Sequence, residues 1–277
     1  MSTPAPATGG WRRRVADGLA RARLLAPAVG LYQTLLAARG AIGSRRARRD
    51  AGGLPVPPAR LRVAVGPSFG DQDTFLASGK RHADLVRRLV EEQGSALEAA
   101  APVLDFGCGV GRVARHWHGL ELDLHGCDVN RRMIEWCRAN LPFGRYDVNE
   151  LAPPLPYGDE SLGLAYAFSV FTHLPEQLQL EWAAEFRRVL RPGGLLLLST
   201  LGEYYAALDR LSPAEREQFD AGRLVVLFEE HAGESFCSAY HPRSYVESTL
   251  AAGFEVVAHE PGTDAEQHDM HLLQKPG

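Results

Sequence analysis

From residue 102 onward, short apolar runs alternate with stretches whose apolar residues recur every three or four positions. The runs are Val103–Phe106, Leu122–Cys127, the short Arg145–Val148, Leu162–Phe168 and Leu195–Thr200. Helical spacing predicts helices over about Val110–Trp117 and Arg131–Asn140. A third follows Pro175, runs to about Leu190 and closes at Pro192-Gly193-Gly194. Apolar runs without polar alternation mark strands buried on both faces. Strands alternating with helices predict a parallel sheet covered by helices on each side. Right-handed crossovers then bring all the strand C-termini to one edge, where such sheets bind ligands. The last two runs, Phe254–His259 and Met270–Gln274, are separated by about ten residues with no helical pattern. A parallel crossover needs a dozen or more, so this pair is predicted to be an antiparallel hairpin.

Between the two parts lies an insertion, about 201–241. It holds a predicted helix with Ser212 as N-cap and Pro213 at its first position, and an apolar stretch Leu224–Phe228. A helix over about Pro242–Ala252, ended by Gly253, leads into the hairpin. Upstream of residue 102, Asp73–Gln93 has helical periodicity interrupted by Gly79, and residues 60–72 are predicted extended. Trp11 to about Ala41 shows apolar residues at helical spacing, broken by Pro27. A basic run at Ser44–Asp50 and a Pro/Gly stretch at 51–59 follow. The expected organisation is a basic helical arm with linker over 1–62 and an α/β domain over 63–277. That domain is expected to be doubly wound and mostly parallel, with helices on both faces and a C-terminal antiparallel hairpin.

Charge sharpens this division. Residues 1–62 carry 12 Arg and 2 Asp, a balance of +10, whereas the remainder carries 18 basic and 32 acidic side chains, a balance of −14. An acidic domain repels phosphates, which argues against a nucleic-acid substrate. The arm fits a helix packed on its own domain or a second subunit, an amphipathic segment over residues 11–50 resting on an anionic membrane surface, or an arm binding nucleic acid. Only Lys80 and Lys275 among the basic residues are lysine, which reads as the coding bias of a GC-rich bacterial genome. The four cysteines form no CxxC pair and fit reduced core positions of a cytoplasmic protein. No apolar run reaches the roughly 18 residues of a membrane span, and no secretory leader is expected.

Candidate chemistry begins where the first strand ends, at Gly107-Cys108-Gly109-Val110-Gly111. Glycine there permits positive φ and lets a ligand approach the main chain. The spacing departs from the dinucleotide fingerprint, because Arg112 stands at the third-glycine position. Asp105, two residues before the first glycine, suits a cation or ammonium better than a pyrophosphate. Asp128 ends the second strand, where an acid can accept both hydroxyls of a ribose. Asp147 and Val148 end the third, where an acid can accept from an adenine amino group while an apolar neighbour covers the ring. Phe168-Ser169-Val170-Phe171-Thr172-His173-Leu174 leaves the fourth, offering apolar walls and a histidine. The loop alone leaves open a dinucleotide, a phosphate or a nucleoside.

Taken in order, Asp105–Gly111, Asp128, Asp147, Phe168–Leu174 and Arg191-Pro192-Gly193-Gly194 with the terminal hairpin resemble the class I S-adenosylmethionine-dependent methyltransferases. The resemblance covers about residues 75–275. It implies a seven-stranded sheet and S-adenosylmethionine as cofactor. The glycine loop, with Gly107, Cys108, Gly109 and Gly111, would face the methionine part, and Asp105 its amino-acid end. Asp128 with Val129 would hold the ribose, Asp147 with Val148 the adenine, and Phe168 and Ser169 the adjoining wall. Gly79 matches a position near the cofactor carboxylate. His173 is the candidate general base, with His231 and His241 as alternatives. The His116-x-His118 and His268-x-x-His271 pairs lack further ligands, so no metal centre is expected. The acceptor is expected to be a small molecule or a saccharide hydroxyl, held by the 201–241 insertion and residues 66–80. A non-catalytic partner-binding module, a nicotinamide-dependent oxidoreductase and a membrane-surface enzyme for a lipid-linked acceptor remain alternatives.

Overall fold

The computed structural model describes residues 31–32, 34–38, 49–209, 211–264 and 266–277. From residue 59 onward its helices are, in chain order, α1 (Ala59–Val65), α2 (Gln72–Glu92), α3 (Arg131–Asn140), α4 (Glu176–Val189), α5 (Glu203–Asp209), α6 (Pro213–Asp220) and the short α7 (Arg243–Tyr245). The last runs on as a π turn over Val246–Leu250. The strands are β1 (Val103–Phe106), β2 (Leu124–Asp128), β3 (Arg145–Val148), β4 (Leu162–Ala167), β5 (Leu190–Thr200), β6 (Val225–Leu227), β7 (Ser238–Tyr240), β8 (Glu255–Glu260) and β9 (Asp269–Gln274).

Seven strands form one sheet in the order β3-β2-β1-β4-β5-β9-β8. The pairs from β3 to β5 are parallel, and β9 runs antiparallel to both β5 and β8. This is the mostly parallel, doubly wound architecture with a C-terminal antiparallel hairpin. Strand periodicity sorts the core into two layers. Val103, Leu164, Leu195, Leu197 and Leu272 face one side and pack with Val86, Leu89 and Ile134 of α2 and α3. Leu104, Phe106, Ala165, Leu196, Leu198 and Leu273 face the other and pack with Trp182 and Phe186 of α4. Phe106 meets the Trp182 and Phe186 rings at centroid distances of 4.6 and 5.1 Å. Truncating a buried aromatic such as Phe186 costs about 3–5 kcal/mol.

Four segments differ from expectation. Residues 110–117 are a turn followed by a 3₁₀ helix, Ala114–Trp117. Gly111, at φ 67°, leaves the right-handed helical region. Residues 59–70 are helical in place of extended, with α1 followed by a 3₁₀ turn at Pro67–Gly70. The reason is Arg62, whose buried guanidinium donates to the carbonyls of Pro57, Phe69 and Gly70 and ties both ends of the segment together. The Arg191–Gly194 turn lies within β5, which starts directly where α4 ends, with a register irregularity opposite Leu162–Leu164. The helix expected over 242–252 has only three α-helical residues before its π turn.

The boundary expected at residue 62 falls inside α1, and the chain already packs on the sheet domain from Asp50. Asp50 Oδ2 accepts from Arg115 Nε at 2.8 Å, and Leu54 belongs to the core. Of the arm, residues 31–32 and 34–38 are helical, with Leu31, Tyr32 and Leu35 exposed. Residues 1–30, 33 and 39–48 lie outside the described residues. Among the described residues no helix is long and apolar enough to cross a membrane. All four cysteines are buried free thiols. In the insertion, Ser212 caps α6 in a reciprocal box with Glu215. The insertion also packs Phe219 and Val225 against Leu201 at the end of the main sheet.

Candidate active site

A cavity of about 510 Å³ lies at the C-terminal ends of β1, β2 and β4. Its floor is the glycine loop. The N–H groups of Gly107 and Cys108 both donate to the Cys127 carbonyl, at 2.8 and 2.9 Å, which folds the loop back over β2. Gly107 and Gly109 hold φ of 71° and 55°, accessible to glycine at no steric cost. A Cβ on Gly107 would lie 2.4 Å from Val170.

Asp128 is fixed from behind. Its Oδ2 accepts from Gly109 N at 2.9 Å and its Oδ1 from Asn130 N at 2.7 Å. Each carboxylate oxygen keeps a second lone pair for a ligand hydroxyl. Burial pushes its pKa up against those two backbone donors. Val129 beside it lines the same wall.

Asp105 is buried, and its Oδ2 has no hydrogen-bond partner. Burial pushes its pKa up to about 7, although the Tyr166 hydroxyl, the Arg112 guanidinium and the Ala114 N–H favour the ionised form. A buried carboxyl oxygen without a partner costs free energy until something pairs with it. A cationic donor entering the cavity, such as an ammonium group, would supply that partner.

Arg112 is also buried. It donates from Nη1 to Ser78 Oγ and from Nη2 to His82 Nδ1, both at 3.0 Å, with its guanidinium carbon 5.3 Å from the Phe69 ring centroid. It makes no ion pair among the described residues, and burial lowers its pKa to about 10. Because the guanidinium can only donate, His82 Nδ1 must accept, so its Nε2 carries the proton and donates to Glu266 at 2.9 Å. The neutral His82 ring, its pKa lowered to about 4 mainly by burial, stacks on Phe168 at 4.1 Å. Burial alone would raise the Glu266 pKa, but hydrogen bonds from His268 and His82 outweigh it and hold the carboxyl below its ordinary range.

His173 lines the cavity beyond β4. Its Nδ1 lies 2.7 Å from the Cys237 carbonyl. A carbonyl only accepts, so Nδ1 carries the proton and Nε2 keeps its lone pair. Burial lowers the His173 pKa and favours this neutral form. The segment is held by Gln179, which donates to the carbonyls of Phe171 and Leu174 and accepts from His241 Nε2. Among the alternative bases, His241 is thereby committed to this support, and His231 pairs with Glu234. Ser169, with φ 57°, is kept in the left-handed region by its N–H bond to Ser199 Oγ at 2.7 Å.

The structure therefore gathers Asp105, Gly107, Cys108, Gly109, Asp128, Val129, Phe168, Ser169 and His173 around one cavity. It does not bring Gly79, Gly111, Asp147 or Val148 there. A Cβ on Gly79 would lie 2.1 Å from the Arg112 carbonyl, so that glycine serves helix-to-loop packing. A Cβ on Gly111 would lie 2.3 Å from Leu141, again a packing contact. Asp147 points outward into an ion pair with Arg138 at 2.6 Å, and Val148 packs on the core. Asn149, one residue past β3, lines the cavity, and its Oδ1 is buried without a partner. Sequence reasoning missed Arg112, His82, Asn149 and Glu266. Arg112 carried a signal, as a charged residue where a glycine loop turns into the protein.

Known proteins are similar to this chain over the same region. The family model described as a methyltransferase domain matches residues 78–259. The malonyl-[acyl-carrier protein] O-methyltransferase of Yersinia pestis is 31% identical over 130 residues, 44% of each chain. Methyltransferase GfsG of Streptomyces halstedii is 31% identical over 129 residues, 43% of this chain and 45% of its own. The matches thus span less than half the length of these two relatives. Two solved structures share the fold. The CcbJ methyltransferase of Streptomyces caelestis has a TM-score of 0.52 and 18% identity, covering 72% of this chain and 90% of that one. The [4+2]-cyclase SpnF has a TM-score of 0.50 and 17% identity, covering 71% and 80%. A fold shared with a cyclase does not fix the reaction. The family match, the sheet order and the loop agree: the chain belongs to the class I methyltransferases, whose cofactor is S-adenosylmethionine.

Proposed function

We propose that this protein transfers a methyl group from S-adenosylmethionine to a hydroxyl oxygen of a small-molecule or saccharide acceptor, with His173 taking the hydroxyl proton. The observation that carries this reading is the His173 tautomer. The Cys237 carbonyl holds the proton on Nδ1 and leaves Nε2 unprotonated at the cavity wall.

The residues present suit the cofactor. The unpaired Asp105 oxygen fits its ammonium, the unpaired charge of Arg112 fits its carboxylate, and Asp128 fits the ribose hydroxyls. Asn149 Oδ1 takes the place expected of Asp147 as acceptor for an adenine amino group. S-adenosylmethionine supplies an electrophilic methyl on a sulfonium, displaced in line with departure of the thioether. The protein holds the acceptor near that line and removes its proton at His173 Nε2. Relatives named as O-methyltransferases support oxygen as the methylated atom. The acidic balance of residues 63–277 supports an acceptor other than nucleic acid.

S-adenosylhomocysteine release across a panel of hydroxylated acceptors tests the reaction. On the acceptor found, His173→Gln should lower kcat about 10²–10⁴-fold and leave cofactor affinity unchanged. An unchanged kcat would remove His173 from the reaction. The arginine-rich arm supports a peripheral contact of residues 11–50 with an anionic surface. Co-sedimentation with anionic vesicles, with and without residues 1–50, tests this, and equal pelleting removes it.

A further inference from the structure

A second group of chemistry-bearing side chains lies on the β8–β9 hairpin, apart from the residues assigned above. His259 on β8 stands directly opposite His271 on β9. Asp269 lies two residues before His271 on the same face of β9, as the two-residue period of a strand requires. One donor atom from each of the three lies within 4.8 Å of the other two.

Each residue is already oriented. Asp269 Oδ1 accepts from Gly262 N at 2.8 Å, and its Oδ2 lies 3.2 Å from His259 Nε2. Donors held about 2.0–2.1 Å from a tetrahedral ion are themselves separated by about 3.3 Å, so that pair already has the separation a shared ion demands. His271 is fully buried. Its Nε2 is bonded to Thr200 Oγ1 at 3.0 Å, while its Nδ1 has no partner at all. A ring with one nitrogen fixed by a hydroxyl and the other unpaired is the arrangement in which metal-ligating histidines are found. His259 and His271 lie face to face, with centroids 4.7 Å apart. A second cavity, of about 580 Å³, is lined by His259 and Asp269 together with Glu203, Tyr204 and Asp220. It leaves room for a further ligand.

We infer that His259, Asp269 and His271 form a binding site for a zinc-class divalent ion. Two imidazoles and one carboxylate form a borderline donor set that suits zinc and disfavours magnesium or calcium, which take oxygen ligands. The ion would cross-link β8 to β9 at the base of their loop. That loop carries Glu266 and His268, which line the cofactor cavity. The site's role is thus to fix the hairpin from which one wall of the cavity is built. The inference is independent of the proposed acceptor and of His173.

The test uses the full chain without a polyhistidine tag, incubated with zinc chloride, desalted and analysed for metal. Wild type and His125→Ala, a control far from the site, should retain roughly one zinc per chain. His259→Ala and the near-isosteric Asp269→Asn should each bind zinc at least about tenfold more weakly. Circular dichroism and S-adenosylhomocysteine binding check that the variants are folded. Zinc should also raise the Tm of wild type and not of the variants. Wild-type protein that retains no zinc and shows no Tm shift would reduce the cluster to a hydrogen-bonded His–Asp pair and overturn the inference. Zinc retained equally by folded His259→Ala would do the same. Should both variants misfold, the wild-type stoichiometry and Tm shift decide alone.

Discussion

Arg112 Nη2 donates to His82 Nδ1 at 3.0 Å, and through that one imidazole the glycine loop is joined to Glu266 of the β8–β9 loop. The contact fixes the His82 tautomer and aims a buried positive charge along the cavity wall. Arg112→Lys keeps the charge but loses the planar fork that serves Ser78 and His82 together. It should weaken S-adenosylhomocysteine binding by about 10–100-fold, the loss of one or two charge-assisted hydrogen bonds. Calorimetric titration measures this. Unchanged affinity would take the carboxylate of the cofactor away from Arg112.

The proposed pairing of Asp105 with the cofactor ammonium makes binding depend on pH. Its pKa in the free protein is pushed up to about 7, and an ammonium partner favours the ionised form. Affinity should therefore rise as pH increases through about 7 and level off above it. About half a proton should be released on binding at pH 7, and closer to one at a lower pH that still lies above the bound-state pKa. Titrations in buffers of different ionisation enthalpy count that proton, and Asp105→Asn should abolish its release.

Gly79→Ala tests the reassignment of that glycine. The new Cβ would meet the Arg112 carbonyl at 2.1 Å, a backbone atom that cannot rotate away. Overpacking of this kind costs about 1–3 kcal/mol, read as a lower urea midpoint with unchanged slope. A variant as stable as wild type that binds the cofactor poorly would return Gly79 to the cofactor site.

Acid should destabilise the fold through its buried neutral histidines. Burial lowers His82 from 6.5 to about 4 and His241 from 6.5 to about 3. Between those values the unfolded chain binds more protons than the folded one, so stability falls as pH drops below 6.5. The His241 contribution is fully lost only below about 3. Urea midpoints measured from pH 7 downward should decline, with a shallower slope in His241→Gln.

Much of this was legible from residue pattern. The β1 and β3 limits, α3 and the antiparallel hairpin follow from runs and spacings that tertiary contacts merely reinforce. What escaped was set by long-range contact. Nothing local marks 59–70 as helical, because the organising element is Arg62 reaching three carbonyls up to eight residues away. Asp147 and Asn149 have equally plausible chemistry at a strand end. Only the observed twist and register turn one toward Arg138 and the other toward the cavity. Glycines 79, 107, 109 and 111 look alike in sequence. All four are crowded by neighbouring protein atoms, and only Gly107 and Gly109 also line the cavity.

The last strand of the described chain is not at the edge of the sheet. β9 lies between β5 and β8 and covers the apolar run Leu195–Leu198 on its hydrogen-bonding side. During synthesis, β5 therefore emerges with an unpaired edge and waits about seventy residues for its neighbour. A nascent chain halted before residue 269 displays that edge to other chains, the circumstance in which strands pair wrongly and aggregate. Slow translation across the insertion would lengthen that exposure, a hazard the finished sheet conceals.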